Sequence, residues 1–155
     1  MRSSILLNET AAVFHKCGED SNGKAIYRIF KLTNIRLENR DSVYASNRGL
    51  KPYDGFKLYF SSNHSKALDE EEKSLEFIAP SVMNSLPEAE KAHFWTVCEN
   101  DLISRYSEDF TPNADLDEMK NDHEFYYVNS VIPCRSRGRI KLLEITGRGR
   151  SVDSE

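Results

Sequence analysis

Between Phe56 and Phe60 the chain alternates strictly, Phe56-Lys57-Leu58-Tyr59-Phe60, with turn formers on both sides. Alternation at period two sets Phe56, Leu58 and Phe60 on one face of a β-strand and Lys57 and Tyr59 on the other. The phenylalanine face is therefore expected to pack on the core, with Tyr59 facing outward. Gly49, Pro52 and the Asp54-Gly55 pair make the approach a loop, because Gly tolerates positive φ and Pro fixes φ near a turn value. Past Phe60, the residues Ser61, Ser62, Asn63 and Ser65 can cap a helix. Ala67, Leu68 and the run Asp69-Glu70-Glu71-Glu72 then read as its first turn, where carboxylates meet the positive end of the helix dipole.

The remaining segments sort by the same signals. Residues 11–17 and 25–32 read as strands joined by a turn holding Asn22-Gly23, a hairpin pair. Arg28 falls in line with Ile26, Phe30 and Leu32, so its guanidinium has to find an acceptor or a route to solvent. Apolar spacing predicts a helix over 66–78, ended by Pro80, and a second from the Ser85-Leu-Pro-Glu88 capping box to Tyr106. Asn113, Asp115, Asp117, Asn121 and Glu124 fall at calcium-loop positions, but Glu118 stands where that loop needs glycine and Lys120 where it needs an apolar residue. A short polar helix capped by Asp115 explains the same residues. Residues 124–132 and 139–145 read as the last strands, around a loop at 133–138. The expectation is an α+β fold: an antiparallel or mixed sheet built from N-terminal and C-terminal strands, with two main helices from the middle of the chain packed on it. Residues 1–146 form one domain and 147–155 a flexible tail.

A chain of 155 residues can bury one substantial core without staples. Its longest early apolar run, Ile5-Leu6-Leu7, is too short for a signal or a membrane span, which points to a cytoplasmic protein with no membrane partner. Cys17, Cys98 and Cys134 are odd in number and form no C-x-x-C pair, so each reads as a reduced, buried small hydrophobe and no metal site is expected. Charge is segregated: ten basic against six acidic residues in 1–60, five against sixteen in 61–130, and six against three in 131–155. A molecule with a positive and a negative side follows if the basic ends share a sheet.

No P-loop, dinucleotide fingerprint, H-E-x-x-H or G-x-S-x-G is present. Arg48, Pro52, Gly55, Leu58-Tyr59, Ser62, Ala67-Leu68 and Glu70 follow in order, with eleven steps from Arg48 to Tyr59 and eleven from Tyr59 to Glu70. That order resembles the core of the RES domain family, NAD-consuming toxins of toxin-antitoxin pairs with an ADP-ribosyltransferase-like fold. The resemblance implies NAD as substrate, Arg28 and Arg48 on the pyrophosphate, Tyr59 stacked on nicotinamide, Glu70 as the catalytic carboxylate and Ser130 as a late serine of the site. Two arginines suit a pyrophosphate, and a carboxylate suits an oxocarbenium-like transition state. The sequence departs from the family at Ser46-Asn47-Arg48-Gly49, where the family has Gly-Gly-Arg-Trp.

Two other functions fit the composition. A small interaction or inhibitor protein, phage or bacterial, would use the acidic middle segment to bind a basic protein partner, an antitoxin or an inhibited target. A nucleic-acid binder would use Arg135, Arg137, Arg139, Arg148 and Arg150.

Overall fold

The computed structural model describes residues 7–46, 49–111 and 115–149, with backbone alone at 39–46 and 49–54. These residues hold nine strands: β1 (Glu9–Glu19), β2 (Ala25–Ser46), β3 (Gly49–Ser61), β4 (Lys66–Leu68), β5 (Ser74–Phe77), β6 (Phe94–Trp95), β7 (Leu102–Arg105), β8 (Tyr126–Ser136) and β9 (Arg139–Arg148). Three short helices accompany them, α1 (Pro80–Ser85), α2 (Glu88–Lys91) and α3 (Leu116–Asp122).

Asp20 organises the first turn. Its carboxylate accepts the N–H groups of Asn22 and Lys24, and Gly23 takes a φ of +81°. A Cβ at that φ would be strained, so the Asn-Gly pair sets the hairpin of β1 and β2. β2 runs well past the expected end at Leu32. Asn34, at φ +53°, bulges the strand so that Leu32 and Ile35, three residues apart, are both buried. Ser65 holds the bulge, donating to the Asn34 carbonyl at 2.6 Å and accepting the Ser61 N–H at 2.9 Å. Beyond the bulge β2 pairs with β3 from Arg36↔Tyr59 to Ser46↔Gly49. Phe56, Leu58 and Phe60 are buried as the alternation requires.

The sheet then closes. β3 pairs with β9, β9 with β8, β8 with β7, and β7 returns to β1, every pairing antiparallel. Each of these six strands has a neighbour on both sides, giving a barrel in the order β1-β2-β3-β9-β8-β7. Closure removes the exposed edges that an open sheet would have to protect. The interior cluster includes Val13, Phe30, Leu58, Ile103, Val128 and Ile145. A second cluster, Ala12, Phe14, Leu102, Phe110, Met119 and Phe125, covers the other side of β1 beneath α3. The residues from Ala11 to His15 are therefore all buried. α3 begins as the capping chemistry requires, with the Asp115 carboxylate accepting the Asp117 N–H at 3.0 Å. Asn113 lies outside the described residues.

Several expectations are corrected here. The sheet does join N-terminal and C-terminal strands, but the two main helices are absent from the described residues. Segment 66–78 forms β4 and β5, because Asp69 accepts the N–H groups of Glu71 and Lys73 and Glu72 takes a φ of +64°, folding the acidic run into a turn. Segment 85–106 breaks into α2, β6 and β7, because Phe94 and Trp95 pair in parallel with Glu76 and Phe77 of β5 and Trp95 is fully buried. Pro80 stands in the first turn of a helix, α1, and ends none. The expected loop at 133–138 shrinks to a two-residue turn, Arg137-Gly138, both at positive φ, so β8 continues through Pro133 and Cys134. Cys17 and Cys134 are exposed, not buried. The expected tail starts too early, since Gly147 and Arg148 belong to β9.

Gly147 is fixed by packing. A Cβ there would lie 3.0 Å from the Tyr127 carbonyl oxygen and 3.3 Å from the Tyr126 Cβ. Gly147→Ala is expected to cost about 1–3 kcal/mol by overpacking, read as a lower denaturant midpoint at unchanged slope. Gly18→Ala, where nothing lies within 4 Å, serves as the control.

Candidate binding cleft

Between β3 and β7 the chain leaves the barrel for residues 62–101 and lies back over it. β5 and β6 tie this flap together through Glu76 N–H to the His93 carbonyl and Ile78 N–H to the Trp95 carbonyl, each 3.1 Å. Trp95 anchors it, with its ring 6.2 Å from Phe30, 5.1 Å from Phe60 and 5.0 Å from Phe77. Such ring pairs add attraction beyond area burial, which the indole uses on three sides. Its Nε1, and the Thr96 hydroxyl beside it in sequence, are buried and have no hydrogen-bond partner among the described residues.

The flap and the β8–β9 hairpin enclose a cleft of about 980 Å3. Phe60, Phe77 and Trp95 give it apolar lining, and Ser62, Asn63, His64, Arg135 and Arg139 give it polar and charged lining. A second cleft of about 650 Å3, lined by Ile78, Val97, Val131 and Pro133, shares Phe77, Arg135, Ile140 and Leu143 with the first. The Lys141 carbonyl accepts both the N–H and the hydroxyl of Ser62, which fixes Ser62 to β9. Arg135, Arg137 and Arg139 are exposed and, among the described residues, have no carboxylate partner. The tight turn makes this possible: Ser136 pairs with Arg139 across it and Arg135 with Ile140. Guanidinium groups held this way are donors in search of an anion.

The residues singled out from the sequence are distributed over several places. Arg28 stands over the Phe30 ring at 4.8 Å and donates to the Lys91 carbonyl at 3.1 Å. It shares a cleft of about 330 Å3 with Glu70 and His93. Tyr59 lies on the opposite face of the sheet, since Leu58 and Phe30 share the interior and Tyr59 alternates outward beside Lys57. Lys57 is held above its usual pKa, chiefly by its hydrogen bond to Glu144 at 2.6 Å. Ser130 is bonded to the Thr146 hydroxyl and lines the apolar cleft. Arg48 and Arg150 lie outside the described residues. The structure thus brings Arg28 to Glu70, and separates both from Tyr59. Arg148 sits nine residues along β9 from Arg139, about 30 Å away, so it does not join the hairpin arginines.

One cluster escaped the sequence reading. His15 Nδ1 lies 2.7 Å from Asp101 Oδ2, which also accepts the Cys98 N–H at 2.9 Å, while Oδ1 accepts the Lys16 N–H at 3.2 Å. Cys98 Sγ lies 3.6 Å from Oδ2 and 4.0 Å from Nδ1. No nearby pair in the sequence announces this. Cys98-x-x-Asp101 is too common a spacing to mark a site alone, and His15 stands 83 residues away.

Burial, reinforced by the Asp101 charge and hydrogen bond, pushes the Cys98 thiol up to about 11. Cys98 is therefore a thiol at neutral pH and a poor nucleophile. With Cys17 and Cys134 replaced by Ser, iodoacetamide labelling of the metal-free chain is expected to stay slow at pH 8 and to rise only near pH 11. Because the native state holds this proton more tightly than the unfolded chain, Cys98 should also make stability fall as pH climbs from 9 towards 11. A labelling midpoint near pH 8 would contradict this.

No protein family model, curated protein or solved structure matches this chain.

Proposed function

We propose that this chain is a non-enzymatic binding protein that seats a phosphate-bearing ligand in the cleft between the β8–β9 hairpin and the flap. The observation that carries this reading is the pair Arg135 and Arg139, without carboxylate partners among the described residues, lining a cleft of about 980 Å3. Surface cations can find carboxylates, and six of the ten lysines here do: Lys16 with Glu19, Lys24 with Asp115, Lys31 with Glu72, Lys57 with Glu144, Lys73 with Glu71 and Lys91 with Glu88. The pairs through Glu71, Glu72 and Glu88 partly neutralise the acidic segment, which weakens its case as the main recognition surface.

A nucleotide is the ligand class that matches best. Small-molecule clefts span about 300–1,000 Å3 with an apolar floor and a few convergent polar groups. Arginine forks bind phosphate oxygens in two-point fashion, Ser62, Asn63 and His64 supply further polar groups, and half-buried Phe77 supplies an aromatic surface for a base. The net charge of −4 disfavours long polyanions held by general attraction, so recognition falls to this local pair.

The test is fluorescence anisotropy of a labelled short single-stranded oligonucleotide, with mononucleotide as competitor, over a salt series. Arg135→Ala with Arg139→Ala is expected to weaken binding at least about tenfold. It should also flatten the log–log salt dependence by about 1.4, at about 0.7 for each lost phosphate contact. Binding unchanged in the double variant, or no binding by the parent chain at low salt, would overturn the reading.

A further inference from the structure

We propose that His15 Nδ1, Cys98 Sγ and Asp101 Oδ2 form a site for a divalent transition metal of the zinc class, independent of the arginine cleft. The three atoms lie within 4.8 Å of one another. They come from β1, one residue past its pairing with β7, and from the turn that enters β7, and the pairing Phe14↔Leu102 sets those two segments side by side.

The donor set selects the metal. One imidazole nitrogen, one sulfur and one carboxylate oxygen make the mixed set that zinc accepts, whereas calcium and magnesium take oxygen alone. Tetrahedral zinc with its usual bond lengths separates such ligand atoms by about 3.3–3.6 Å. Here the sulfur stands 3.6 Å from the oxygen and 4.0 Å from the nitrogen, and the nitrogen 2.7 Å from the oxygen. The nitrogen–oxygen pair must open and the sulfur–nitrogen pair close, each by well under the width of an atom.

The surroundings supply what a site needs besides ligands. The Asp101 carboxylate is oriented by two backbone donors, Cys98 N–H and Lys16 N–H, the outer contacts that fix a metal-binding carboxylate. His15 and Asp101 are 7% and 2% exposed, so water competes little for the ion. A cleft of about 350 Å3 reaches both His15 and Cys98 and gives an ion a route in. Binding displaces the Cys98 thiol proton to solvent, and the charge of the metal takes its place.

The full chain, stripped with chelator and dialysed, would be titrated with cobalt(II) and then with zinc(II). One equivalent of cobalt is expected to give a near-ultraviolet thiolate-to-cobalt band and the visible bands of tetrahedral cobalt, both abolished as zinc displaces it. Zinc should raise the melting temperature. Cys98→Ser should lose the thiolate band, and His15→Asn should weaken zinc at least about 100-fold, beyond the loss from an outer-shell change. Asp101 is left intact because its carboxylate also holds two backbone N–H groups. The proposal is overturned if folded parent chain, checked by circular dichroism, shows no thiolate band and no shift with zinc, or if the band survives in Cys98→Ser.

Discussion

The structure depends on β1 being paired along both of its edges. With β2 on one side and β7 on the other, its backbone groups are satisfied within the sheet, so the strand can be buried on both faces. Ala11 to Phe14 meet this demand: alternate side chains enter the barrel interior, and the others enter the cluster under α3. The apolar run is continuous because a doubly covered strand has no solvent face to keep polar. His15 follows directly, and it remains buried because Asp101 sits opposite to receive it. Barrel closure and the His15–Asp101 contact are thus two results of one register.

The flap is organised in the same way, by one buried group. Trp95 fills the space between the barrel strands and β5, fully buried against Phe60 and Phe77. Leaving the indole N–H and the Thr96 hydroxyl unbonded costs about 1–3 kcal/mol each. Burying a full indole against three phenylalanine rings offsets that. Because the flap is held at Trp95 and at Ser62, the space between it and β8–β9 stays open, and the hairpin arginines border a cleft instead of bulk solvent.

Much of the barrel was legible in the sequence. The Phe56–Phe60 alternation, the Asn22-Gly23 turn and the Asp115 cap each act through neighbours a few residues away, and each is where the residues require. The mid-chain strands were not legible. Leu68, Leu75 and Ile78 satisfy a helical period as well as they satisfy two short strands, and the choice is made by β2, whose Leu32 pairs with Ala67. The same holds for Trp95, whose burial against distant rings overrides the local helical spacing. The RES resemblance placed Glu70 on a helix; Glu70 instead occupies the β4–β5 turn, close to Arg28 and away from Tyr59. The arginine cluster was visible as composition, but its split into Arg135, Arg137 and Arg139 at the turn and Arg148 far along β9 required the strand register. The contacts of His15 with Cys98 and Asp101 span 83 and 86 residues, and the β1–β7 pairing creates them.

The most direct test is therefore of that pairing, by amide exchange and nuclear Overhauser contacts in the folded chain. The closed barrel requires backbone contacts between Ala11 and Arg105 and between Val13 and Ile103, together with slow exchange across β1 comparable to the best-protected amides of β8 and β9. Fast exchange in β7 with no contact to β1 would show an open sheet. It would also remove the physical basis for placing His15 beside Asp101.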